Sequence, residues 1–324
     1  MNELSKKIAE LTILSLVIVL FQACNVKIPV ASPKASDTSY QNIEKNEKIE
    51  LQFKSNLDKD HSVAAGDRTG VFILEHNHEK INADKYIKSA IEKEISARNI
   101  ALSFIDSGND KLILEDFEII THRVSGYSPL VTISTLKLKM NIGTEIKTFI
   151  SVVKRAKTPV WSMDEVVEPC YNEPTTLLVK EVVAKINKNY FAHKFSNKYI
   201  KQLQNKITIK KNGKLTYLDV YELGFSNNLE SLDFLKTLTN SQDEYIRLAA
   251  ISSIGILGDS NQFDFLVSLN TQSKMWQDRA MALKSIGDLG TLKAHDYLKE
   301  RKKFWHDKTT KEAIWNLKII NLYL

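Results

Sequence analysis

Cysteine is scarce: Cys24 and Cys170 are the only two in 324 residues, so no disulfide framework supports this chain. The catalytic signatures are missing as well. No glycine-rich phosphate loop, no Gly-x-Ser-x-Gly elbow and no Cys-x-x-Cys pair occurs, which removes the marks of phosphate cradles, α/β-hydrolase nucleophiles and thiol redox sites. The apolar run from Leu11 to Ala23 is too short for a comfortable transmembrane helix. Acidic residues are absent between Val182 and Leu218, where nine lysines fall.

What is present at the N-terminus is an export signal. Lys6 and Lys7 precede the uncharged run, which ends on small Ala23 before Cys24. The end of that run, Leu20-Phe21-Gln22-Ala23-Cys24, resembles the lipobox of bacterial lipoproteins, departing at Phe21, where that family prefers leucine. The resemblance implies a signal peptide over 1–23 and palmitate-type acylation of Cys24. It also implies a lipid-anchored place in the bacterial cell envelope, facing the periplasm. Asn25 rather than aspartate follows the cysteine, which by the same resemblance points to the outer rather than the inner membrane. Cys170 is then alone. Residues 24–66 are rich in Lys, Asn, Ser, Asp and Glu, so the expectation is a lipidated cysteine and a flexible tether that lets the body stand off the bilayer.

Residues 67–192 read as an α+β domain. Val71-Phe72-Ile73-Leu74 is a strand covered on both faces; Asn82 caps a helix whose Ile87, Ile91 and Ile95 share one side. Leu136, Leu138 and Met140 alternate with lysines, then Ile146, Thr148, Ile150 and Val152 alternate beyond the Gly143-Thr144 turn. Such alternation predicts antiparallel strands, with a bulge where the phase changes between Ile133 and Leu136. Gly126 and Gly143 read as hairpin turns. A helix opens at Pro174, with Leu178, Val182 and Ile186 on one face. The expected fold is therefore a mixed, largely antiparallel sheet with two helices.

A lysine-rich linker is expected over 193–217. Without the stretch from Val182 to Leu218 the chain, at a net +6, would be slightly acidic. A solvated face is the plain reading; an anionic lipid surface is the functional one. Export and the choice of lysine over arginine argue against nucleic acid.

Residues 218–324 repeat. Arg247-Leu248-Ala249-Ala250-Ile251-Ser252-Ser253-Ile254-Gly255-Ile256-Leu257-Gly258 returns 32 residues on as Arg279-Ala280-Met281-Ala282-Leu283-Lys284-Ser285-Ile286-Gly287-Asp288-Leu289-Gly290. Asp233-Phe234-Leu235, Asp264-Phe265-Leu266 and Asp296-Tyr297-Leu298 recur at nearly the same step, 31 and then 32 residues. Repeats of this length predict an α-solenoid of stacked helix pairs. They resemble the HEAT-like repeats of phycobilisome-lyase-type proteins, a resemblance carried by packing residues and bringing no lyase activity with it. Small Ala250 and Ala282 allow close approach, Gly255 and Gly287 avoid a neighbour, and Gly258 and Gly290 are expected left-handed stops. Asp243 and Asp278, just before each second helix, are placed to cap it or to pair with its first-turn arginine, Arg247 or Arg279. Trp276, Trp305 and Trp315 are read either as core residues or as exposed anchors for a partner.

His76-Asn77-His78-Glu79 offers two imidazoles without a further ligand set, and Asp164, Glu165 and Glu168 cluster near Trp161 without a cleft to part their pKa values. No catalytic residue, metal or cofactor is expected. The sequence points to a membrane-anchored scaffold that binds an unidentified protein through its repeats and is not an enzyme. The alternative is a periplasmic module that binds a small ligand or lipid in the α+β domain.

Overall fold

A computed structural model describes residues 26–324, apart from 45–46, 59–60, 62, 67–71, 126, 211–212 and 214. The expected signal peptide and Cys24 lie outside the described residues, as do Val71, Gly126, Lys211 and Lys214. Among the described residues no helix is long and apolar enough to cross a membrane.

The N-terminal region is mixed α/β and the C-terminal region is helical. The strands are β1 (Val26–Pro29), β2 (Ile49–Ser55), β3 (Ala64–Gly66), β4 (Phe72–His76), β5 (Glu79–Lys80), β6 (Leu102–Ile105), β7 (Lys111–His122), β8 (Leu130–Ile142) and β9 (Glu145–Lys157). The larger sheet runs β6-β2-β7-β8-β9, with β3 on β7 beside β2. Its β6, β2, β3 and β7 are parallel, while β7, β8 and β9 are antiparallel. A small sheet pairs β1 in parallel with β4 and β4 with β5. Asn77 and His78 close that last hairpin with positive φ at both positions, the backbone a two-residue primed turn requires.

The segment expected to be a tether is built into both sheets. Leu51 of β2 is wholly buried between β6 and β7, Ile28 of β1 is buried against β4, and Tyr40 is core. Polar composition concealed this, because single apolar residues spaced along a polar background anchor the segment. The bulge lies between Leu114 and Asp116 of β7 rather than in β8. The phase change in β8 has another cause: residues 132–136 are buried on both faces.

Helix α1 (Ala83–Arg98) is capped by Asn82, whose carbonyl oxygen accepts from Lys85 N at 2.9 Å. Helix α2 (Glu173–Ile186) starts earlier than Pro174 suggested. A turn at Asp164–Val167 and a π segment at Glu168–Asn172 lead into it, and Asn187–Phe191 ends it in a second π segment. α1 and α2 cover the face that carries Leu112, Leu114, Phe117, Leu136 and Leu138.

The expected linker is a helix, α3 (Asn197–Ile209), buried through Ile200, Leu203 and Ile207. Then follow α4 (Thr216–Gly224), α5 (Leu232–Leu238), α6 (Glu244–Leu257), α7 (Phe263–Gln272), α8 (Trp276–Asp288), α9 (Leu292–Trp305) and α10 (Lys311–Tyr323). α4, α6, α8 and α10 pack one on the next, and α3, α5, α7 and α9 each lie against the helix that follows. The buried residues of both regions form one continuous core.

Candidate functional site

The helices meet the sheet along a seam that holds three buried ionic groups. In the first, Glu181 and Lys185 sit one turn apart on α2, and Lys284 and Asp288 one turn apart on α8. Lys284 Nζ lies 2.5 Å from Glu181 Oε1 and 2.7 Å from Asp288 Oδ2, and Lys185 Nζ lies 2.6 Å from both Glu181 Oε1 and Asp288 Oδ1. Ser151 donates to Glu181 (2.8 Å), Lys284 to Ser252 (2.7 Å), Tyr323 to Asp288 (2.6 Å), and Lys185 also to the Ile150 carbonyl. Burial alone would neutralise these groups. Against it, Asp288 and Glu181 hold the Lys284 ammonium above its ordinary pKa, and Lys185 and Lys284 hold Asp288 below its own. Two acids and two amines thus cancel in a dry site.

The second group centres on Arg155 of β9. Its Nε donates to Glu173 at 2.6 Å, and its guanidinium lies between the rings of Tyr217 (4.2 Å) and Tyr245 (4.9 Å). Tyr245 also closes the free edge of β9: its hydroxyl accepts from Ala156 N at 3.1 Å and donates to Ala156 O at 2.7 Å. In the third, Arg98 of α1 donates to Glu94 at 2.8 Å and, through both Nη atoms, to Glu222 of α4 at 2.7 Å, beneath Tyr40 and Phe195. Such paired, desolvated ions add little net stability, whereas removing one partner strands a buried charge.

Two clefts open along this seam. One of about 610 Å³ is lined by Lys147, Lys185, Lys188, Asn189, Asp288 and Tyr323. Its Lys188 is committed: Nζ donates to the carbonyls of Ile256 (2.8 Å), Leu257 (3.1 Å) and Gly258 (2.7 Å) at the end of α6, where a cation is favoured. Burial lowers the Lys188 pKa. The other, about 540 Å³, is lined by Lys34, Asp37, Glu173, Tyr199, Lys206 and Asp219 together with Leu203 and Leu218.

The repeat residues selected from the sequence lie on α6 and α8 and at their ends. Arg247 pairs with Asp278 of the next unit (2.9 Å) and Arg279 with Glu312 of the unit after (2.7 Å). Ala250 and Ala282 are fully buried. A Cβ on Gly255 would come within 2.6 Å of Ser285 Cα, and one on Gly287 within 2.6 Å of the Tyr323 ring. Gly290 takes φ +64°. Gly258 does not: its φ is −69°, and its missing Cβ makes room for Ile254 O. Asp243 caps α6 through Tyr245 N and Ile246 N, whereas Asp278 sits inside the first turn of α8 and holds Arg247 instead.

Trp305 and Trp315 are buried and Trp276 is half-buried, so the first two are core rather than exposed anchors. The exposed tryptophan is Trp161, in the loop after β9 and outside the repeats. His76 bonds Val30 O (2.9 Å) and Ser32 Oγ (3.2 Å), tying β4 to the chain after β1. Cys170 is buried, which pushes its thiol pKa up to about 12. Glu165 accepts from Val160 N (2.8 Å) and Trp161 N (2.9 Å), which lowers its pKa, and Glu168 accepts from Asn172. Among the described residues no group of three or more His, Cys, Asp or Glu is placed to hold a metal.

No family model matches the chain. No curated protein matches it either. Among solved structures, one described only as the crystal structure of an uncharacterized protein aligns over 51% of this chain and 99% of its own, at 10% identity and a TM-score of 0.29.

Proposed function

We propose that the chain is an exported, lipid-anchored envelope protein whose C-terminal helices form a short HEAT-like solenoid that holds a protein partner, without catalysis of its own. The observation that carries this reading is the ordered succession of α4, α6, α8 and α10. Each step is made by a small residue against the next helix, Gly224 on Ser253, Gly255 on Ser285, Gly287 on Tyr323. The Arg247–Asp278 and Arg279–Glu312 ties repeat along it. Contacts passed from unit to unit leave one long flank free for recognition. The outer helices present an exposed row, Asp233, Asp264 and Asp296, one per unit. The apolar layer between the sheet and α1 and α2, where a small-ligand module of the α/β region would need an apolar cavity, is filled by Phe117, Leu136, Leu178 and Val182.

A photocrosslinking amino acid placed singly at 233, 264 and 296 of the full chain tests the reading. The expected result is one protein adduct common to all three positions and absent when the crosslinker stands at Glu50 of the sheet. Adducts at Glu50 alone would move the binding role to the α/β region.

A further inference from the structure

If Cys24 carries lipid, no tether separates it from the body. Val26, the first residue of β1, stands two positions on and is already paired with Phe72, so it lies within about 7 Å of the acylated residue. The body therefore rests on the bilayer, and the question is which end faces it.

The end of the larger sheet where β7 finishes at His122, β8 starts at Leu130 and β9 finishes at Lys157 is the upper end here. His76 packs on Tyr86 (ring centroids 5.9 Å apart) and Tyr86 on Phe117 (6.4 Å). Phe117 lies four residues below Thr121, with which Gly66 is level. If β4 rose toward His76, Phe72 would lie about 26 Å below Gly66 at strand spacing. Six residue steps span about 21 Å. A descending β4, with Phe72 and its partner Val26 at the upper end, fits within that span.

The helices agree. α6 starts beside the end of β9, through Tyr245 on Ala156 and Glu244 on Lys154. The matched contacts Tyr217–Tyr245, Arg247–Asp278 and Arg279–Glu312 show that α4, α6, α8 and α10 run parallel. All four begin at the upper end.

That end is where exposed apolar side chains gather. Trp161 is 92% and Tyr127 96% exposed, with Val124 and Val160 beside them. Ile209, Leu215, Met275, Phe304 and Ile314 stand out from the segments that precede or open those four helices. Described residues of both sheet loops are held by hydrogen bonds. Glu165 holds the amides of Val160 and Trp161, and Ser128 Oγ accepts from Val124 N (3.0 Å) and Ser125 N (2.8 Å). Lys157, Lys210, Lys274, Lys308 and Lys311 are exposed on the same end. Of the acids there, Asp243 and Glu165 are engaged with backbone amides, Glu244 and Glu312 with Lys154 and Arg279, and Asp164, Glu168 and Asp307 are exposed.

We propose that this upper end is a membrane-docking face, with Trp161 and Tyr127 seated at the headgroup level of an anionic phospholipid bilayer and the lysines around them. Aromatic rings with a polar tip are favoured at that depth, and lysine near the surface adds attraction to anionic lipid. The proposal rests on the lipid-anchor reading for its orientation.

The test uses the full chain with vesicles of phosphatidylethanolamine and acyl-brominated phosphatidylglycerol, read by flotation and by quenching of tryptophan emission. The expected result is flotation with quenching, of which Trp161→Phe removes more than about half. Leu292→Trp, exposed at the start of α9 on the opposite end, adds unquenched emission. Quenching unchanged in Trp161→Phe, or equal at 292, overturns the docking face, as does failure to float. The mass of the Cys24 peptide reads the anchor separately. An unmodified cysteine together with Trp161 quenching would retain the face and remove the anchor.

Discussion

Gly255 and Gly290, at different steps of the repeat, act through different physics. Gly255 faces the backbone of Ser285, so a methyl group there forces two helices apart. Gly290 has open space around it and a left-handed backbone. Gly255→Ala is expected to cost about 1–3 kcal/mol as overpacking, and Gly290→Ala about 1–2 kcal/mol as backbone strain. Asparagine separates the two causes, since it tolerates the left-handed region but is larger. Gly290→Asn should be milder than Gly290→Ala, and Gly255→Asn worse than Gly255→Ala, read as urea midpoints. The reverse order would mean that the two positions have been assigned the wrong cause. Gly258 shows why sequence alone misleads: the same residue at the same step of the repeat has an ordinary negative φ and is required for space.

At the scale of elements, the parts with strong periodicity were legible and the parts that depend on distant partners were not. α1, β8, β9 and the repeating helices carry apolar residues at spacings only one structure satisfies. β1 and β2 do not, because each buries few side chains and takes its hydrogen bonds from strands far along the chain. α3 was hidden by its lysines, although Ile200, Leu203 and Ile207 keep helical spacing. The seam was invisible for the same reason: Glu181 and Lys284 read as surface residues until a second helix covers them. Leu51 gives the sharpest check on the reassigned segment. In a solvated tether, Leu51→Ala would leave stability untouched. Buried between two strands, it should lose about 2–5 kcal/mol, measured by chemical denaturation. A change below about 0.5 kcal/mol, the range of an ordinary surface substitution, would return the segment to the role its composition suggests.

For the molecule as a whole, the buried ions make the two regions one folding unit and tie its stability to pH. The sign follows from Asp288. Its folded pKa lies below the ordinary carboxylate value, so the stability it contributes is present above about pH 4 and is lost as the pH falls through the lower folded value. Asp278 acts in the other direction. Burial raises its pKa against the pull of Arg247, so protonation on the way down favours the folded chain until the Asp288 network is titrated. Asp288→Asn should therefore do two things. At neutral pH it leaves Lys185 and Lys284 sharing Glu181 alone, at a cost of about 3–5 kcal/mol for a broken buried pair. Below pH 4 its stability should fall less steeply than that of the native chain, because the titrating carboxylate is gone. Because Lys185 and Lys284 come from opposite sides of the seam, the sheet and the helices should unfold together, at one midpoint whether followed by far-ultraviolet circular dichroism or by tryptophan emission. Two separated midpoints in the native protein would mean that the ionic groups only decorate a contact between independent domains.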